Sequence, residues 1–149
     1  MSLLIFFLTV ALTATLFALA EIQIEGSHGW AASLPTWRLE NRWTRLLYNS
    51  KPLTGYHLYT LLFTLALIHL PFGLGLAPVT WHSEARLLSF FILFWVLEDF
   101  LWFIFNPAYG LKKFRPEHIW WHAPTWWWLM PREYWISIPI GVGLYFLSL

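Results

Sequence analysis

From Leu3 to Ala20 the chain carries no ionisable side chain, and that run decides what kind of molecule this is. About 20 consecutive apolar residues are what a helix needs to cross the hydrocarbon core of a bilayer. A soluble fold would have to keep such a segment covered with charge supplied elsewhere, yet only 11% of the 149 residues are charged while 58% are hydrophobic. Ordinary soluble domains carry about 25% charged residues. Lipid is therefore the solvent for much of this chain, and its length allows a single domain, residues 1–149.

Four spans are expected: residues 3–24, 57–76, 87–105 and 134–149. The first is read as a retained span and not as a signal peptide, because Met1 to Leu4 lack the basic residue that a signal n-region carries. The last is short and has to tilt or thin the bilayer. Arg38, Arg42, Arg45 and Lys51 fall in loop one, and Lys112, Lys113, Arg115 and Arg132 fall in loop three. With four spans these loops share a side, and the positive-inside rule makes it the cytoplasm, with both termini outside. The expected class is an all-α polytopic bundle in a cell membrane, plasma or inner. Its loops one and three should hold interfacial helices.

In loop one, residues 36–49 place Leu39, Trp43, Leu46 and Leu47 on one helical face and Arg38, Arg42 and Arg45 on another. That helix would anchor in anionic lipid or, on a sharper reading, clamp a substrate head group through the three arginines. In loop three, His118 to Leu129 is too aromatic for water and too short to span. Gly73, Gly75, Gly141 and Gly143 offer positions where helices could approach closely.

Ionisable residues inside a span are costly, and by default they mark function. Glu21, Glu25 and His28 share a face if the first helix continues through Gly26. Glu25 and His28 also have the Glu-x-x-His spacing with which one helix offers two ligands to a carboxylate-bridged metal. Glu98 and Asp99 lie late in the third span, and His118 and His122 are spaced i, i+4, suiting one metal bound from one helix. The four-span topology delivers all of these, and His57, to one membrane level, whereas His69 falls in mid-bilayer and His82 on the opposite side.

The expected metal ligands are therefore Glu21, Glu25, His28, Glu98, His118 and His122. Asp99 and His57 are the catalytic candidates, Asp99 as ligand or orienter of ligands and His57 as proton carrier or further ligand. The chain contains no Cys, so thiolate sites and iron–sulfur clusters are excluded. Imidazole with carboxylate suits one or two iron ions, with manganese or zinc as substitutes. The expected function is a membrane metalloenzyme, a non-haem iron or di-iron oxidoreductase acting on a lipidic or isoprenoid-like substrate. A zinc hydrolase stands second. No His-x-x-His-His cluster of the kind membrane desaturases use is present. Other classes stay open: an accessory or assembly subunit, a b-type haem protein, and a proton relay through Glu98, Asp99 and His69. Membrane lipids are the expected partners, with a homo-oligomer or larger complex also open. A net charge of +1 gives no support for nucleic acid.

Overall fold

The first helix, α1 (Leu3–Glu25), reverses the pattern of a soluble helix. Leu4, Leu8, Leu12 and Leu16 face outward, while Phe6, Val10, Ala14, Ala18, Glu21 and Glu25 are buried. Residues four apart lie one above another on a helix, so these six form one inward stripe that is apolar for four turns and acidic in the last. Only a lipid surround makes outward leucines unremarkable. The computed structural model describes residues 2–48 and 51–149, without the side chains of 45–47.

After α1 come a two-residue strand β1 (Arg38–Leu39), a short helix α2 (Arg42–Leu47) and strand β2 (Leu53–Thr54), which pairs antiparallel with β1. Then follow α3 (Gly55–Gly73), α4 (Trp81–Phe105) and, beyond an irregular segment, a hairpin of β3 (Trp126–Trp127) with β4 (Met130–Pro131) leading into α5 (Arg132–Leu147). Among the described residues, α1, α3 and α4 are long and apolar enough to cross a membrane. Helix α5 has 16 residues.

The helix boundaries have visible causes. Thr54 caps α3 by accepting from the His57 amide, and Thr80 caps α4 by accepting from Ser83, which starts that helix earlier than hydropathy suggests. The expected loop-one helix over 36–49 is shortened to α2, because Asn41 and Thr44 form a reciprocal capping box that fixes its start at Arg42. The last residue of that expectation, 49, lies outside the described residues, as does the Arg45 side chain.

Helix α4 is the centre of the bundle, packed along its length by α1 and α5. Gly141 lets α5 come close: a Cβ there would sit 2.7 Å from Leu93 Cγ, and the Ser89 hydroxyl donates to the Gly141 carbonyl at 2.7 Å. The other three glycines expected at contacts have open space around them. Two cores result. Phe6, Val10, Leu93 and Tyr145 fill one end. Ala18, Ile22, Trp102, Phe103, Ile119 and Trp121 fill the other, where the acidic turn of α1 lies.

Candidate metal centre

At Gly26 the helix ends with φ +70°. Gly29, Trp30 and Ala31 follow at φ +63°, +48° and +51°. Two consecutive side-chain-bearing residues in the left-handed region are strained. The turn they make carries the Ala31 amide back onto the Glu25 carboxylate, 2.5 Å from Oε1. It is pinned on the outside by the Arg38 guanidinium, which donates to the Ala31 carbonyl. On the inside Gly29 lies against Trp121. Asn106, the C-cap of α4, donates to the Gly26 carbonyl at 2.8 Å and ties the two helix ends together.

The first turn of α3 faces this acidic turn. The Tyr56 hydroxyl donates to Glu21 Oε1 at 2.9 Å, and His57 Nε2 lies 3.6 Å from Glu25 Oε1. His57 Nδ1 is 2.6 Å from Thr54 Oγ1, and Trp30 stacks on the imidazole at 4.1 Å between centroids. With Nδ1–H donated to Thr54, Nε2 presents its lone pair to the carboxylates, which is the tautomer a metal ligand requires. One ligand atom each from Glu21, Glu25 and His57 lies within 4.8 Å of the other two. A divalent cation can be held by that trio.

From α4, Glu98 comes within hydrogen-bonding reach of the Glu21 carboxyl. These groups, with Asp99, Trp95, Trp102 and Trp121, line a cavity of about 230 Å³. Among the described residues three buried side-chain polar atoms lack a hydrogen-bond partner: Trp95 Nε1, Glu98 Oε1 and Trp102 Nε1. All three belong to the wall of this one cavity. A buried unpaired polar group costs about 1–3 kcal/mol, and here three of them belong to residues around one cavity.

Beside the cavity stands a second constellation. Asp99 Oδ2 accepts from the Tyr134 hydroxyl and lies 3.0 Å from His122 Nε2, while His122 Nδ1 lies 3.4 Å from Lys51 Nζ. With Lys51 donating, both imidazole nitrogens are engaged, and His122 serves to orient Asp99. The Lys51 side chain is buried and lies 4.5 Å above the Trp30 ring. Burial pushes its pKa below the ordinary lysine value, against the opposing pull of Asp99 and Glu133.

The structure thus brings Glu21, Glu25, Glu98, Asp99 and His57 together. Of the other expected imidazoles, His122 meets this group through Asp99, and His28 and His118 stand apart from it. His28 lies past the end of the helix, exposed, with Nδ1 3.0 Å from Ser33 Oγ. The expected helix over 118–122 is absent: Ile119 and Trp121 are buried while His118 and Trp120 are exposed. His118 is thereby turned outward, and the alternation stops at Trp121, so that His122 is buried beside it. Arg38 is occupied with the Ala31 carbonyl, and Arg42 lies 4.8 Å above Trp43. His69 is about three turns along α3 from His57 and bonds Glu84 at 2.9 Å, away from Glu98. The sequence reading omitted Tyr56, Trp30, Trp95, Trp102 and Lys51. The helix-start signal at Thr54 could have drawn attention to Tyr56, which the cap places in the first turn beside His57. Comparisons with protein-family models, with curated proteins and with solved structures find no match.

Proposed function

We propose that this chain is an integral-membrane metalloenzyme in which Glu21, Glu25 and His57 hold a divalent cation, Glu98 supplies a further carboxylate, and the substrate is lipidic. In this reading α5 is a fourth, short span. Loops one and three lie on the cytoplasmic side of a cell membrane, because the basic residues gather there. The observation that carries the proposal is the clustering, at a lipid-embedded helix end, of four acids and one imidazole in the same cavity wall as three unpaired polar atoms. Unpaired charge is expensive in so apolar a setting. A cation neutralises the carboxylates at once, while internal hydrogen bonds reach only some of their oxygens.

An oxygen-rich set with a single imidazole suits iron or manganese before copper. Iron fits an oxidoreductase, the leading reading; zinc would activate water for hydrolysis instead. Asp99, oriented by His122 and Tyr134, is placed to exchange a proton with a group in the cavity. A b-type haem is disfavoured, since about 230 Å³ lies below the roughly 300–1,000 Å³ of pockets for drug-sized ligands.

The test is elemental analysis of detergent-purified protein together with its optical spectrum. About one iron or manganese per chain, lost in Glu25→Gln and His57→Ala but kept in Lys112→Ala, is the expected result. Metal stoichiometry unchanged in both site variants, or no cation taken up on reconstitution, overturns the assignment. Zinc in place of iron would move the chemistry to hydrolysis.

A further inference from the structure

Towards the middle of the helices, next to the carboxylate cavity, α1, α3 and α4 do not close on one another. Thr13, Phe17 and Ala20 of α1, Phe63 and Thr64 of α3, and Phe94 of α4 line a crevice of about 410 Å³ whose walls are almost wholly apolar. Helix α3 is the loose member of the bundle. Gly55 and Thr64 are its buried residues, whereas Tyr59, Leu62, Phe63, Leu67 and Leu70 are exposed. The crevice is therefore open sideways, where the hydrocarbon of a bilayer lies.

Its inner end lies beside the site. Ala20 adjoins Glu21, Phe94 adjoins Trp95, and Thr64 is one turn from Thr60 and Leu61, all of which line the carboxylate cavity. Phe17 touches both Phe94 and Trp95, with centroid separations of 5.6 Å. Along α1 the crevice runs from Ala20 to Thr13, roughly 10 Å at 1.5 Å per residue. An apolar crevice and an acidic cavity thus lie back to back, with the Phe17 ring and the Trp95 indole in contact between them.

The chemistry of that junction selects an occupant. An indole N–H only donates, so Trp95 and Trp102, whose N–H groups are buried without partners, both lack an acceptor. A hydrocarbon cannot supply one. A carboxylate could, but it would add another negative charge to a wall already holding Glu21, Glu25, Glu98 and Asp99. A neutral oxygen satisfies the donors without that repulsion.

We infer that the crevice between α1, α3 and α4 receives the hydrocarbon chain of a neutral single-chain lipid, and that an alcohol, aldehyde or ketone oxygen at its polar end reaches Trp95, the indole that adjoins the crevice. This deepens the proposed function and rests on it for the claim that the ligand is a substrate. The substrate enters sideways from the bilayer, and the reaction falls at its oxygen-bearing end, with the chain tail pointing towards the membrane middle.

The experiment uses three photoreactive probes with a diazirine on the chain: a long-chain alcohol, the matched carboxylic acid and the matched alkane. Each is crosslinked to the purified full chain in detergent, and labelled residues are mapped by mass spectrometry. The alcohol should label Phe63, Thr64 and Phe94 in preference to the other two probes. Trp95→Phe should reduce that preference by roughly two- to thirteenfold, the span of one neutral hydrogen bond, while leaving alkane labelling unchanged. Thr64→Trp, which fills the crevice, should remove labelling there by all three probes. Equal labelling by alcohol, acid and alkane, or labelling indifferent to Trp95→Phe, overturns the inference, and neither result depends on how Thr64→Trp folds. Metal content is read from the same samples. Selective labelling without any cation refutes the metalloenzyme reading alone; a bound cation without selective labelling refutes this inference alone.

Discussion

Gly29 is the position where one added methyl group should do most damage to the site without touching any of its ligands. Two costs add. At φ +63° an alanine pays the left-handed penalty, about 1–2 kcal/mol. Its Cβ would also stand 2.4 Å from Trp121 Cη2 and 2.7 Å from Cζ2, an overlap that something must relieve. Trp121 has little room to do so: it is 3% exposed and lies against Phe103, Trp102 and Tyr109 at centroid separations of 5.8, 6.1 and 6.1 Å. Overpacking of this kind costs about 1–3 kcal/mol. Gly29→Ala should therefore lose about 2–5 kcal/mol of unfolding free energy, measured by denaturant titration in mixed micelles. Cation binding should weaken too, because the same turn delivers the Ala31 amide to Glu25. Gly73→Ala is the control, with open space around it and a helical position that alanine tolerates. Should Gly29→Ala fall within about 1 kcal/mol of the unsubstituted protein, below the smallest of these sums, the packing of Trp121 on the turn is refuted.

Three further outcomes follow from single contacts. Thr54→Val removes the oxygen beside His57 Nδ1 and should lower metal affinity by about 10–100-fold, read by competition with a chelator; Thr54→Ser should restore it. Lys51 has a depressed pKa in the fold, so between that value and the unfolded value near 10.4 the unfolded chain binds more protons. Stability then rises with pH across that window, and Lys51→Met should flatten the rise in unfolding curves taken at a series of pH values. Ser89→Ala loses the hydrogen bond to the Gly141 carbonyl and should cost about 0.5–1.5 kcal/mol with metal content unchanged.

What sequence could and could not reveal divides along a physical line. Hydropathy marks α1, α3 and α4 because lipid imposes one requirement on every residue of a span. Topology then gathers Glu21, Glu25, Glu98, Asp99 and His57 at one level, since helices of fixed rise must begin and end together. The Glu-x-x-His and His-x-x-x-His spacings mislead because they mean shared faces only inside a helix. Gly26 ends α1 before His28. His118 and His122 lie in an irregular segment, shaped by Ile119 and Trp121 packing into the core with Phe103. The left-handed pair Trp30–Ala31 was illegible for a different reason. Neither residue favours that backbone, and contacts distant in sequence hold it there, among them Arg38 on the Ala31 carbonyl and His57 and the Pro52 carbonyl on Trp30.

A bundle that merely anchored itself could end α1 with leucine and close the turn with relaxed backbone. This one places Glu21 and Glu25 on the inward stripe, where alanine served one turn earlier. It strains two residues to bring one amide to Glu25, and it leaves two indole donors and a carboxylate oxygen without partners. Each feature is destabilising alone, and all of them converge on one cavity. Local rules broken together at a single place are the mark of a functional site. The stability forgone there is what a bound cation and an oxygen-bearing ligand would return.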